Sequence, residues 1–351
     1  MNSLLETKST AAPRAGEERI LFSVGPLEKS LFLPQADLTH VHDQTCVHIN
    51  PDGISAADWE RTLREHRPTV LVTAWNTPPI PISWIESDDF SLRYLCNITG
   101  SVKTVAPRIL FSRGVRITNW GTLINHTIAE HALLMVLSLL RNTPAWPAAA
   151  ASGSYSAALM PVLRTRSLRG KRVGLHGFGA IAREIIALLK PFQVEIAACS
   201  QGVPRAVFES HGVEPCADLE TLFARSDVLI ECESLTPHSR GSVTAAVLGR
   251  LPPDAVFVNV GRGLIVDEAA LARLASEKRL RVGLDVFHQE PLPPDSPLAK
   301  IPGLLLSPHI AGPTWDTFPC CGDHALDNLH RYLDREPLTD EVTVEIYDRA
   351  T

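Results

Sequence analysis

The sequence predicts an α/β protein whose larger part is a doubly wound parallel sheet, and three observations carry that prediction. Short apolar runs alternate with helix-period stretches along almost the whole chain. One glycine turn, Gly177-Phe178-Gly179-Ala180-Ile181-Ala182, stands between an apolar run at Arg172–Leu175 and a helical stretch at Ala180–Lys190. Polar residues gather at the carboxyl ends of predicted strands, where open α/β sheets bind their ligands.

The glycine turn has a specific physical reading. Apolar residues recur at helical spacing after it (Ile181, Ile185, Ile186, Leu188, Leu189), and a second apolar run follows at Val194–Cys199. The whole is strand, turn, helix, strand with G-x-G-x-x-A at the turn. Gly177 permits the tight turn, and Gly179 lets a pyrophosphate approach the backbone around Ala180 and Ile181. Ala182 keeps the helix close to the sheet, whose helix N-terminus offers unpaired N–H groups to an anion. This is the dinucleotide-binding unit of a Rossmann sheet.

Bulk properties narrow the partners. At 351 residues the length favours two domains, and 45% hydrophobic with 21% charged residues describes a soluble protein with ample core. Net charge is −6 with no long basic run, so neither nucleic acid nor an anionic membrane surface is expected, and an anionic substrate needs a locally positive site. Seven cysteines without metal-like or C-x-x-C spacing point to reduced thiols and a cytoplasmic setting; no metal site is expected. Residues 1–18 are polar and lack an apolar signal core, so a frayed tail is expected there.

Taken in order, residues 1–121 read as the first part of a small α/β domain with a parallel sheet. Strands are expected at Ile20–Val24, Cys46–Ile49, Val70–Thr73, Leu92–Cys96 and Val115–Thr118, and helices at Ala56–Glu65 and Val102–Phe111. Thr127 and Glu130 have capping-box spacing, which starts a buried central helix running through Ala132–Leu140, too short to span a bilayer. Residues 142–170, rich in Pro, Ala and Ser, read as an arm or linker of the kind that reaches across a dimer. Beyond the glycine turn, strands are expected at Asp227–Cys232, Ala255–Val260, Val282–Val286 and Leu304–Ser307. Helices are expected at Leu219–Ala224, Val243–Leu251 and Glu268–Glu277. Residues 122–314 thus form the dinucleotide domain with six strands. Residues 315–351, with a helix at Thr317–Leu333, return to the first domain and make it discontinuous.

Three polar stretches sit at strand ends: Asn259-Val260-Gly261-Arg262-Gly263, Asp285 through Pro291, and Ser307-Pro308-His309-Ile310. An arginine, a carboxylate and a histidine are the inventory for moving a hydride at a carbonyl beside a carboxylate. Arginine grips both oxygens with its fork, and histidine exchanges a proton near neutral pH. A carboxylate behind the histidine orients it and favours its charged form. Singly, each motif is more often a structural turn; together beside a dinucleotide fold they point to a site.

The chain resembles the D-isomer-specific 2-hydroxyacid dehydrogenase family. The matching segments are Leu168–Ala182, Ile128–Leu133, Leu235-Thr236-Pro237, Val258–Glu268, Leu284–Leu292 and Ser307–Gly312, in family order over most of the chain. The resemblance implies an NAD(P)-dependent oxidoreductase interconverting a 2-keto acid and a D-2-hydroxy acid, a flavodoxin-like substrate domain and a homodimer. It implies that Arg262 binds the keto-acid oxygens, that His309 is the acid/base and that Glu290 is its partner. Asp285 would contact the nicotinamide carboxamide, with Thr236 and Val260 lining the cofactor. Backbone N–H groups of Thr99-Gly100-Ser101-Val102 would hold the substrate carboxylate. Glyoxylate or hydroxypyruvate reduction is the first expectation and phosphoglycerate oxidation the second.

Several positions depart from the family pattern. The second strand ends Ala198-Cys199-Ser200 where NAD enzymes place an acid, and Glu195 stands too early in that strand. Two readings follow: NADP(H) is accepted with Arg205 binding its 2′-phosphate, or Ser200 hydrogen-bonds an NAD ribose. Lys103 and Asn119-Trp120-Gly121 replace commoner residues near the substrate loop, and Trp75 follows a strand where the family lines its substrate pocket. Two other classes compete: a non-enzymatic NAD(H)-sensing corepressor on the same fold, and a formate dehydrogenase, against which Glu290 argues because those enzymes carry glutamine there.

Overall fold

The computed structural model describes residues 18–42, 44–154 and 156–349; all but the last residue of the polar tail expected to fray lies outside them. The described residues divide into two compact units, one running up to residue 120 and including 319–344, the other comprising 121–318 with 345–349.

In the first unit six strands form one sheet: β1 (Ile20–Ser23), β2 (His40–Val41), β3 (Gln44–Ile49), β4 (Val70–Thr73), β5 (Tyr94–Asn97) and β6 (Arg116–Thr118), in spatial order β2-β3-β1-β4-β5-β6. Five run parallel, and β2 is an antiparallel edge that the sequence pattern did not signal. The strands β1, β4 and β5 are buried along their whole length, as continuous apolar runs in a sheet covered on both faces must be. The helix Phe318–Leu333 packs here: Cys96 Sγ lies 3.3 Å from Ala325 O, and a Cβ on Gly322 would meet Phe32 O at 1.8 Å. The helix expected over Val102–Phe111 shrinks to Ile109–Ser112. Pro107 interrupts the stretch: it lacks an N–H and biases Ala106 away from helical backbone, leaving a turn closed by Ala106 N on Val102 O.

The second unit holds seven parallel strands: β7 (Arg172–His176), β8 (Glu195–Cys199), β9 (Glu214–Pro215), β10 (Val228–Glu231), β11 (Ala255–Asn259), β12 (Leu280–Leu284) and β13 (Leu305–Leu306). Their order, β13-β12-β11-β10-β7-β8-β9, reverses direction between β7 and β10, the switch point at which doubly wound sheets bind ligands. Six strands were expected; the seventh, β9, is two residues long and has no periodic signature.

The helix Asn125–Arg141 lies in this unit's core with Ala132, Met135, Val136 and Leu139 buried. It approaches β12 so closely that a Cβ on Gly283 would stand 3.1 Å from Leu139. Its start corrects the capping-box expectation. Ile124 is the N-cap residue, and Thr127, inside the first turn, donates its hydroxyl to Ile124 O and Gly312 O instead. Arg281 of β12 donates to Leu139 O at the other end, where a cation complements the helix dipole. The stretch expected to be an arm or linker folds into two short helices, Trp146–Ala151 and Ser156–Leu163, neither with a buried residue; Trp146, Met160 and Val162 are exposed.

Candidate active site

The glycine turn follows β7 at the switch point. Gly177 has φ +107°, and a Cβ there would lie 2.7–2.8 Å from the backbone of Cys232 and Glu233, so only glycine fits. A Cβ on Gly179 would meet nothing within 4 Å. Protein closes the turn on one side and leaves its backbone open on the other, the shape a pyrophosphate requires. Gly179 is the N-cap of the helix Ala180–Leu189 and has no side chain to cap it, so the first-turn N–H groups, those of Ala180 and Ile181 among them, face outward with the positive end of the helix dipole. The residues therefore fit a dinucleotide.

Beyond the turn, Thr236 caps a tight bend in which its N–H donates to Ser239 Oγ at 2.8 Å. Val260 is buried and donates its N–H to Glu231 O. Ser200, one residue past β8, donates its hydroxyl to Glu233 Oε2 at 2.7 Å. Arg205 starts the helix Arg205–Ser210 and pairs with Glu209 at 2.6 Å, both largely exposed.

The three candidate groups, Arg262, Glu290 and His309, come from successive strand ends. Arg262 follows β11, where Asn259 shapes the bend: its Oδ1 accepts from Gly261 N at 2.9 Å and its Nδ2 donates to Arg262 O at 3.2 Å. A Cβ on Gly263 would lie 2.0 Å from the carbonyl carbon of Phe287, which locks this bend against the segment after β12. Burial pulls the Arg262 pKa down, and the nearby Glu290 carboxylate opposes it.

Glu290 accepts from Phe287 N at 3.0 Å with one oxygen and from His309 Nδ1 at 2.6 Å with the other. Partial burial pushes the Glu290 carboxyl up, but these two donors and the Arg262 charge hold it below the ordinary carboxylate value. With Nδ1 engaged by Glu290, proton exchange at His309 would fall to Nε2. His309 itself has φ +53°.

Asp285 is 1% exposed, and its carboxylate is spent on the His309 segment. It accepts from Ser307 Oγ at 2.6 Å, Ile310 N at 2.9 Å and Ala311 N at 3.0 Å. His131 stands 3.6 Å from Asp285 and 2.9 Å from Ser307 Oγ. The sequence places His131 and Ser307 in family-like segments without a part of their own; their contacts exist only through Asp285.

In the first unit, the loop after β5 is shaped by two asparagines. Asn97 Nδ2 donates to Thr99 O at 2.8 Å and to Ser101 O at 3.5 Å, and Asn119 Nδ2 donates to Gly100 O at 2.5 Å. A trans peptide holds its C=O and N–H on opposite sides, so the N–H groups of Gly100, Ser101 and Val102 point away from the asparagines. Trp120 packs over Gly100, where a Cβ would meet its ring at 2.6 Å. Trp75, 47% exposed, stands edge-on to Trp120 and Phe32.

Among the described residues no group of His, Cys, Asp or Glu could hold a metal ion, and no helix is long and apolar enough to cross a membrane.

The fold and the glycine turn together define a dinucleotide-binding α/β protein. Residues 133–311, a little over half of the chain, match the family model described as D-isomer specific 2-hydroxyacid dehydrogenase, NAD binding domain. The chain is 31% identical over 234 residues to a glyoxylate/hydroxypyruvate reductase of Arabidopsis thaliana, covering 66% of this chain and 71% of that one. It is 28% identical over 222 residues to a D-3-phosphoglycerate dehydrogenase of Methanocaldococcus jannaschii, covering 63% of this chain but only 42% of that one. The solved NADPH-dependent glyoxylate/hydroxypyruvate reductase of Sinorhizobium meliloti superposes with a TM-score of 0.72 at 26% identity, covering 95% of this chain and all of that one. This chain belongs to the D-isomer-specific 2-hydroxyacid dehydrogenase family, whose members interconvert 2-keto and D-2-hydroxy acids with NAD or NADP.

Proposed function

We propose that this chain reduces a small 2-keto acid to the D-2-hydroxy acid, with glyoxylate or hydroxypyruvate as first substrates and phosphoglycerate oxidation as the second candidate. The observation that carries the reading is the His309–Glu290 pair, with the Arg262 charge near enough to act on Glu290. A nicotinamide cofactor held at the Gly177–Ile181 turn would supply the hydride for the keto carbon. His309 delivers the proton to the keto oxygen from Nε2, while Glu290 keeps Nδ1–H in place and stabilises the charged ring. Arg262 binds the keto-acid oxygens and stabilises the charge that develops on the carbonyl oxygen. The outward N–H groups of Gly100, Ser101 and Val102 receive the substrate carboxylate, and Trp75 bounds its side chain.

The turn from Gly177 to Ile181 takes the pyrophosphate, and Thr236, Val260 and Asp285 line the rest of the cofactor site. Asp285 reaches the carboxamide only through what its contacts to the His309 segment leave available. Residues up to 120 with the 319–344 segment form the substrate-binding part. The exposed Trp146, Met160 and Val162 supply an apolar surface for a homodimer, and seven free cysteines suit a reducing, cytoplasmic setting.

A cofactor-oxidation assay tests this: NADH and NADPH, each with glyoxylate, hydroxypyruvate, pyruvate, phenylpyruvate and a branched keto acid, with His309→Ala as control. Turnover lost in the control supports the reading and identifies the substrate size. Tight cofactor binding without turnover on any acid would move the assignment to the sensing class.

A further inference from the structure

The NADP(H) reading rests on a second strand that ends without an acid, yet the folded chain brings one to that corner from another strand. Ser200 holds the position just past β8, and its hydroxyl donates to Glu233 Oε2 at 2.7 Å. Glu233 lies two residues past β10 and reaches this point because β10 and β8 flank β7 on either side. Its backbone passes against the glycine turn, 2.7 Å from where a Gly177 Cβ would stand.

The carboxylate is fixed from both ends. Glu233 Oε1 accepts from Ser234 N at 2.9 Å, and Glu233 N donates to Glu231 Oε1 at 2.9 Å. Glu231 is fully buried and carries the buried His176 on its other oxygen at 2.5 Å. A hydrogen-bonded series His176–Glu231–Glu233–Ser200 therefore runs around Gly177. Arg205, the cation of the competing reading, is engaged by Glu209.

We propose that Glu233 reads the adenosine ribose. Its carboxylate accepts the 2′-hydroxyl of NAD(H) and repels the 2′-phosphate of NADP(H), with Ser200 and Glu231 holding it in place. An ionised carboxylate offers about four acceptor sites, so contacts to Ser200 and Ser234 leave room for a ribose hydroxyl. The proposal rests on dinucleotide binding at Gly177–Ile181. A like charge at a phosphate site is the repulsive element that discrimination needs.

The test is equilibrium binding, by tryptophan fluorescence or calorimetry, of NADH, NADPH, ADP-ribose and its 2′-phosphate to wild type and Glu233→Gln. Wild type should bind the unphosphorylated member of each pair at least about tenfold more tightly, and added salt should shrink that ratio by screening the repulsion. Glu233→Gln should narrow the ratio by about tenfold, chiefly by gaining affinity for the 2′-phosphate forms, and should lose the salt dependence. Preference of the wild type for NADPH overturns the proposal whether or not the variant folds. So does a ratio unchanged in Glu233→Gln. Failure of wild type to bind any of the four ligands would instead overturn the dinucleotide reading, and the proposal with it.

Discussion

Asp285 holds His309 in place without touching its ring. The His309 N–H donates to Asp285 O at 2.8 Å, while the Asp285 carboxylate accepts from the next two amides, Ile310 and Ala311. A residue at φ +53° costs backbone energy unless its surroundings over-determine it, and three bonds from one aspartate do so. Asp285→Ala should leave those amides unsatisfied, at about 1–3 kcal/mol of stability. Keto-acid reduction should fall as well, through kcat more than KM. Thermal melts and steady-state kinetics check both; an intact kcat would deny Asp285 this positioning role.

Replacing His309 by Ala should lower kcat for keto-acid reduction by about 10²–10⁴-fold, the usual worth of a positioned acid. Glu290→Gln should cost less than His309→Ala, because an amide oxygen still accepts from Nδ1–H but carries no charge for the imidazolium. Glu290 is held below its ordinary value of 4.5, so any loss of activity between about pH 5 and 8 does not report its own titration. An activity limb in that window that persists in Glu290→Gln would confirm that assignment.

Arg262→Ala should cost at least about 3 kcal/mol in kcat/KM, since it removes a charged contact to developing charge. Arg262→Lys should recover little, because a point charge cannot span two oxygens as the guanidinium fork does. Full recovery with lysine would show that charge alone matters there.

The His176–Glu231 pair sets a pH window for stability. Burial alone pushes the His176 pKa down, but the Glu231 carboxylate outweighs it and holds His176 above its ordinary 6.5. A raised histidine contributes stability that is complete below 6.5 and is lost as pH rises through its folded value. Melting temperature should therefore decline as pH rises above 6.5, and His176→Asn should flatten that decline. An identical slope in the variant would exclude the pair as its source.

Much of this architecture is local and was legible. The strands β4, β7, β10 and β11 appear as short apolar runs, and the glycine turn as a spacing, because burial and backbone sterics act on neighbouring residues. Boundaries moved where a proline or a distant partner intervened. Pro107 cut short the Val102–Phe111 helix, and Gly312 drew the Thr127 hydroxyl away from a cap. A signal for the missed acids was present: Glu231 and Glu233 follow the apolar Val228-Leu229-Ile230, where charge contradicts burial.

By itself the sequence determined the two α/β parts, the dinucleotide turn and the identity of Arg262, Glu290 and His309 as candidates, since each is written in residues close together along the chain. The tertiary structure alone decided that Asp285 braces the His309 segment and that Glu233 meets Ser200. Parallel strands joined by crossovers bring their carboxyl ends together across dozens of residues, so which side chains meet there depends on strand order.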